Sequence, residues 1–148
     1  MNNQNQRRDF IKTSAILAGG IILQPFGMPG AYASGTDQIK LAVIGCGGRG
    51  TGAAMQALLT KQNVKLVAMA DAFQDRLEGS YKLLAEKFGA KVDVPKERQF
   101  VGFDGYQKAI ALADVVLLVT PPGFRPMHFE EAVKQGKHVF MEKPVAVD

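Results

Sequence analysis

Glycines at 45, 47 and 50 and an aspartate at 71 are the residues in this chain whose types and spacing first suggest chemistry. A G-x-G-x-x-G run alone is a weak signal, because any flexible turn can produce it. Here the run follows the apolar stretch Ile39 to Ile44 and opens an alanine-rich stretch, and Asp71 lies 21 residues after Gly50, at the end of a second apolar run. Strand, turn, helix, then a strand ending in a carboxylate is the context that holds a dinucleotide.

Each position has its own physical reason. Gly45 permits the tight turn, Gly47 lets the backbone approach a pyrophosphate with no Cβ in the way, and Gly50 allows a helix to pack closely on a strand. The first-turn N–H groups of that helix then face the phosphates, with the positive end of its dipole behind them. Gly48 and Arg49 widen the anion-friendly loop, and Arg49 either reaches a phosphate or points into solvent. Asp71 can accept the ribose hydroxyls and repel a 2′-phosphate, which favours NAD over NADP. Arg76 on the following helix could offset that repulsion, so NADP is possible. Cys46 reads as a small space-filler; the competing reading is a redox thiol whose pKa is lowered by the helix N-terminus.

These residues need a scaffold, and the hydrophobic pattern predicts one. Strands are expected at Ile39 to Ile44, Val64 to Ala70, Gln99 to Phe103, Asp114 to Thr120 and His138 to Met141. Helices are expected at Thr51 to Gln62, Gln74 to Phe88, Tyr106 to Ala113 and Pro126 to Gln135, with Gly89 and Gly136 as stops. Short apolar runs alternating with amphipathic stretches predict an α/β domain, a doubly wound parallel sheet of the Rossmann kind.

The first 33 residues have the layout of an export signal. Arg7-Arg8-Asp9-Phe10-Ile11-Lys12 resembles the twin-arginine address, read by a machinery that exports folded proteins. The apolar run Thr13 to Leu23 is shorter than the roughly 20 residues a membrane span needs, so no stable membrane anchor is expected. Ala31-Tyr32-Ala33 predicts cleavage after Ala33 and a periplasmic or otherwise exported product, with a short linker at 34–37 and the dinucleotide-binding domain over 38–148. A basic N-terminus with an accidental arginine pair is the alternative.

Of the formal net charge of +4, residues 1–33 carry +2, and the remainder has no block of like charge that would suggest nucleic acid as a partner. A single cysteine rules out an intrachain disulfide, and two histidines without zinc-ligand spacing make a metal centre an unsupported reading.

Over 38–148 the chain resembles the Gfo/Idh/MocA oxidoreductases, the family of glucose-fructose oxidoreductase and inositol dehydrogenase. The most specific part runs from Thr120-Pro121-Pro122 through His128 and Gly136-Lys137-His138-Val139 to Glu142-Lys143-Pro144, the last tripeptide being the family signature. The resemblance implies that Lys143 is the catalytic-site lysine at the reacting hydroxyl or carbonyl of a sugar or polyol. It further implies that Glu142 lies near the nicotinamide ribose and that Thr120, Pro121 and Pro122 lie along the cofactor, with His128 at the following helix as a site or structural histidine. Pro144 is expected to follow a cis bond. Family members continue into a second domain that closes over the nicotinamide, and full-length members are expected to form homo-oligomers. The 148-residue chain is therefore expected to bind dinucleotide without turning over substrate. An NAD-dependent glycosidase of the same fold, working by transient oxidation and elimination, is the alternative activity, and a non-catalytic cofactor-binding module a third possibility.

Overall fold

The computed structural model describes residues 38–145 and 147; the stretches expected to be an export signal, a cleavage site after Ala33 and a linker at 34–37 lie outside them. Strands β1 (Ile39–Ile44), β2 (Val64–Asp71), β3 (Gln99–Val101), β4 (Val115–Leu118) and β5 (His138–Met141) form one sheet in the order β3-β2-β1-β4-β5, and all pairings are parallel. Helices α1 (Gly48–Leu58), α2 (Gln74–Phe88), α3 (Gly105–Ala111) and α4 (Arg125–Lys134) occupy the crossovers.

The alternation of side chains along β1 explains the two-sided core. Leu41 and Val43 pack with Ala54 and Leu58 of α1 and with Leu77 and Leu84 of α2. Ala42 and Ile44 point the other way, toward Ala109 and Ile110 of α3 and Ala132 of α4. In β2 the run Leu66 to Ala70 is buried on both faces, which is why it reads as continuous apolar sequence instead of an alternation. The chain goes from β1 outward to β2 and β3, then crosses back to β4 beside β1. That reversal leaves a crevice at the C-terminal ends of β1 and β4, where open α/β sheets take their ligands.

α1 is made by packing more than by propensity. Gly50 and Gly52 each cost about 1 kcal/mol relative to alanine in a helix. Burying Leu58 contributes about 2–3 kcal/mol and, with buried Ala53 and Ala54, offsets them. α2 relies on its sequence: Leu77, Ser80 and Leu84 form a buried stripe, Asp75 sits in the first turn and Lys87 in the last, and Gly89 ends the helix at φ +50.

Some boundaries differ from the pattern. α1 covers Gly48–Leu58, starting three residues before Thr51 because the glycines themselves take helical conformation, and ending four before Gln62. β3 stops at Val101, where Gly102 turns at φ +108, instead of reaching Phe103. β4 is limited to Val115–Leu118, although Val119 still donates to the Ile44 carbonyl at 2.9 Å before Pro121 ends any ladder.

Candidate active site

A cavity of about 980 Å³ runs along the C-terminal ends of the strands, from Asp71 and Arg76 on one side to Glu142 and Lys143 on the other. Its floor is the glycine turn. Gly45 has φ +96, and a Cβ there would lie 2.9 Å from Thr120 N, so only glycine lets the end of β1 pass this close to the end of β4. Its N–H also donates to the Ala70 carbonyl at 2.8 Å, fixing the turn to β2. A Cβ on Gly50 would sit 1.7 Å from the Gly45 carbonyl oxygen. The turn therefore closes on itself. Gly48 faces open space, while a Cβ on Gly47 would meet the Arg76 guanidinium at 3.3 Å.

The start of α1 has no side-chain cap and no acidic residue in its first turn. Its leading N–H groups, which have no intrahelical acceptor, are left for an anion in the cavity. Beside them the Asp71 carboxylate accepts the N–H of Cys46 at 2.6 Å and that of Phe73 at 2.9 Å. Cys46 contributes this backbone donor while its side chain turns inward, 2% exposed, with Sγ 3.5 Å from the Ala70 carbonyl. Burial, and then the Asp71 charge, push the thiol above its usual range, so the lowered pKa of a redox cysteine is not what the fold produces. Cys46 is the space-filler.

Arg49 lines the cavity with a largely exposed side chain and also has a partner the sequence did not suggest. Its Nε and Nη2 meet the same Glu142 carboxylate oxygen at 2.9 and 2.8 Å, joining the glycine turn to the signature tripeptide. The Arg49 hydrogen bonds hold the Glu142 carboxyl below its ordinary value of 4.5, with further help from the Lys143 N–H and the Arg125 charge and against some opposition from burial. Lys143 is exposed and lines the cavity, and the Lys143–Pro144 bond is cis.

His128 is buried on α4. Its Nδ1 lies 3.1 Å from Thr120 Oγ1, and its ring lies 4.3 Å from that of Tyr106, centroid to centroid. Burial lowers its pKa from 6.5, which favours the neutral ring. Thr120 and Pro121 line the cavity with it, whereas Pro122 is outside the lining and opens the short turn Pro122–Phe124.

The cradle fits a dinucleotide on its own geometry. An uncapped helix start, a glycine without a Cβ above it and a carboxylate fixed one strand away match phosphates next to a ribose.

Comparison with known proteins decides the family. The model for Gfo/Idh/MocA, described as an oxidoreductase family with an NAD-binding Rossmann fold, matches residues 39–148. The chain belongs to this family. No curated protein matches. Among solved structures, scyllo-inositol dehydrogenase from Lactobacillus casei with bound NAD(H) and scyllo-inositol is 28% identical, with a TM-score of 0.59, over 75% of this chain and 29% of that one. Myo-inositol 2-dehydrogenase from Lactobacillus plantarum is 26% identical, with a TM-score of 0.57, over 75% and 30%. A 3-ketoreductase from Actinomadura kijaniata, in complex with TDP-benzene and NADP, is 26% identical, with a TM-score of 0.54, over 75% and 30%. The chain thus spans about 30% of the length of the relatives it matches.

Within this Gfo/Idh/MocA domain, the sequence pattern missed several residues of the cavity wall. Phe73, Phe103 and Phe124 line it, with the Phe103 and Phe124 rings stacked at 5.9 Å. All three follow soon after a parallel strand ends, so the rule that ligands bind beyond those ends could have found them. Arg125 also lines the cavity and is 4% exposed; a lone arginine before a helix-opening proline carries no such signal.

Proposed function

We propose that residues 39–148 supply the cofactor-binding part of an exported oxidoreductase that moves a hydride between NAD and a sugar or polyol. One observation carries the reading: Asp71, fixed by two backbone N–H groups, and Lys143, exposed to the same cavity, lie at its opposite ends. Family membership and the inositol dehydrogenases among the similar structures support it. Arg7-Arg8 followed by Asp9-Phe10-Ile11-Lys12 supports the export.

In this reading the Gly47 backbone and the start of α1 bind the pyrophosphate, and Asp71 accepts the adenosine ribose hydroxyls. When bound, a nicotinamide cofactor accepts hydride from a carbinol carbon or returns it to a carbonyl. Lys143 donates a hydrogen bond to the oxygen on that carbon and stabilises the negative charge that develops there. Glu142 and Arg49 hold the segment that carries Lys143. Arg76 leaves room for NADP as well.

Titrating NADH into the chain by fluorescence tests the cradle, with NADPH as the competitor and Asp71→Ala as the control. Unchanged affinity in that variant sinks the ribose assignment. Turnover is tested on the full-length protein with a panel of sugars and the matching p-nitrophenyl glycosides. NADH accumulating with a sugar supports the oxidoreductase; nitrophenol released without net NADH replaces it with the glycosidase. Isolation of the protein from the periplasm with a start at Met1 overturns export by cleavage after Ala33.

A further inference from the structure

We propose that Arg125 is the positioning residue for Lys143. The inference rests on the reading of Lys143 given above, but its structural part stands on separate contacts. The Arg125 side chain is buried, and its Nε donates to the Thr120 carbonyl at 2.8 Å. Its Nη1 donates to the Glu142 carbonyl at 2.5 Å and also to the Pro144 carbonyl. Those two acceptors bracket Lys143 in sequence, so one guanidinium nitrogen holds the peptide unit that leads into Lys143 and the one that follows Pro144.

The choice of residue matters as much as the contacts. A buried cation is expensive unless its donors are satisfied. The ion pairs among the described residues do not include Arg125, so main-chain carbonyls take its donors, with the Glu142 charge acting on it from farther away. An apolar side chain could fill the space without the cost of burying a charge. What it could not do is tie the end of β4 to the segment 142–144 through a rigid planar fork. Thr120, whose carbonyl Arg125 takes, also meets His128 through its hydroxyl, and Glu142 is gripped at its side chain by Arg49. The backbone that carries Lys143 is thereby held from the main-chain side by Arg125 and from the side-chain side by Arg49, while Lys143 itself stays exposed to the cavity.

The test uses Arg125→Lys, which keeps the charge but loses the fork, and Arg125→Gly. In the 148-residue chain, amide hydrogen exchange at Glu142, whose N–H donates to the Leu118 carbonyl, and at Lys143 is expected to rise at least tenfold in Arg125→Lys, while NADH affinity changes less than threefold. In the full-length protein, kcat per folded molecule is expected to fall about 100-fold, the scale of a misplaced reacting group, with KM little changed. Guanidinium ion added to Arg125→Gly is expected to restore part of that loss, which a general loss of stability would not allow. Unchanged exchange at Glu142 and Lys143, or kcat per folded molecule unaltered in both variants, overturns the proposal. Lys143→Ala is the separate control: full turnover in that variant sinks the assignment of Lys143, and the exchange result then still decides whether Arg125 orders the segment.

Discussion

Arg49 and Glu142 are 93 residues apart in sequence, yet the arginine places two nitrogens within 3 Å of one carboxylate oxygen, at 2.9 and 2.8 Å. The contact ties the floor of the cavity to the tripeptide that carries Lys143. The Arg49 side chain is 64% exposed and that of Glu142 only 10%, so water screens the pair from one side. Pairs this accessible contribute little to stability. What the contact fixes is orientation.

Replacing Arg49 with glutamine is therefore expected to raise the Glu142 pKa toward its ordinary 4.5 with little change in stability at neutral pH. A carboxyl whose folded pKa is depressed stabilises above the unfolded value and loses that contribution as pH falls through the folded one. The wild type should thus lose more stability than Arg49→Gln on acidification below about 4.5. Carbon-13 titration of the Glu142 carboxyl checks the shift, and identical curves would count against it.

Asp71 holds two backbone N–H groups and, in the proposed reading, also sets cofactor choice; its variants should separate the two. Asp71→Ala leaves the Cys46 and Phe73 N–H groups without their acceptor, a loss of about 1–3 kcal/mol in urea unfolding. Asp71→Asn keeps one of the two acceptor oxygens and sets an NH2 against the other backbone N–H, so it should recover only part of that stability, while losing the charge that in the proposed reading repels a 2′-phosphate. Its ratio of NADPH to NADH affinity is expected to rise, and a ratio equal to the wild type's would place cofactor choice elsewhere.

Stability should also depend on pH through His128. Its folded pKa is below 6.5, so the contribution of the neutral ring is complete above 6.5 and declines below it, where the unfolded chain takes up a proton that the folded chain refuses. His128→Gln should flatten this part of the profile, measured as the urea midpoint at pH 7.5 and 5.5. An equal drop in both proteins would assign the slope to other groups.

Two glycines should respond in opposite senses to the same added methyl group. Gly50→Ala drives a Cβ to 1.7 Å from a backbone oxygen and is expected to cost about 3 kcal/mol, the upper end for overpacking, and to abolish NADH binding. Gly79→Ala in the interior of α2 meets nothing within 4 Å and should stabilise by about 1 kcal/mol. Thermal melts of the pair check both.

The sheet was legible because its evidence is periodic: buried strands such as Leu66 to Ala70 appear as continuous apolar runs, and Gly89 and Gly136 mark helix ends by their positive φ. The glycine turn and Asp71 were legible because their spacing is local, and the resemblance supplied Glu142-Lys143-Pro144 and the cis bond before Pro144. What one-dimensional pattern does not encode is which distant side chains meet. Arg49 was left between phosphate and solvent because its partner lies on a segment brought beside it only when β4 and β5 pair. Arg125 gave no sign at all, since its acceptors are carbonyls that any residue could supply. The helix N-terminus suggested a lowered Cys46 pKa, but position along the chain does not report burial, and burial wins.

The closure of Gly50 on Gly45 acts as a mechanical stop and not as a spring. The two backbones pass where no side-chain atom fits, and short-range hydrogen bonds within the turn and to β2 hold them there. Salt and acid, which can loosen the Arg49–Glu142 contact, do not act on the backbone-to-backbone hydrogen bonds that hold it. The floor on which phosphates would rest should hold its shape under conditions in which the far wall of the cavity comes apart.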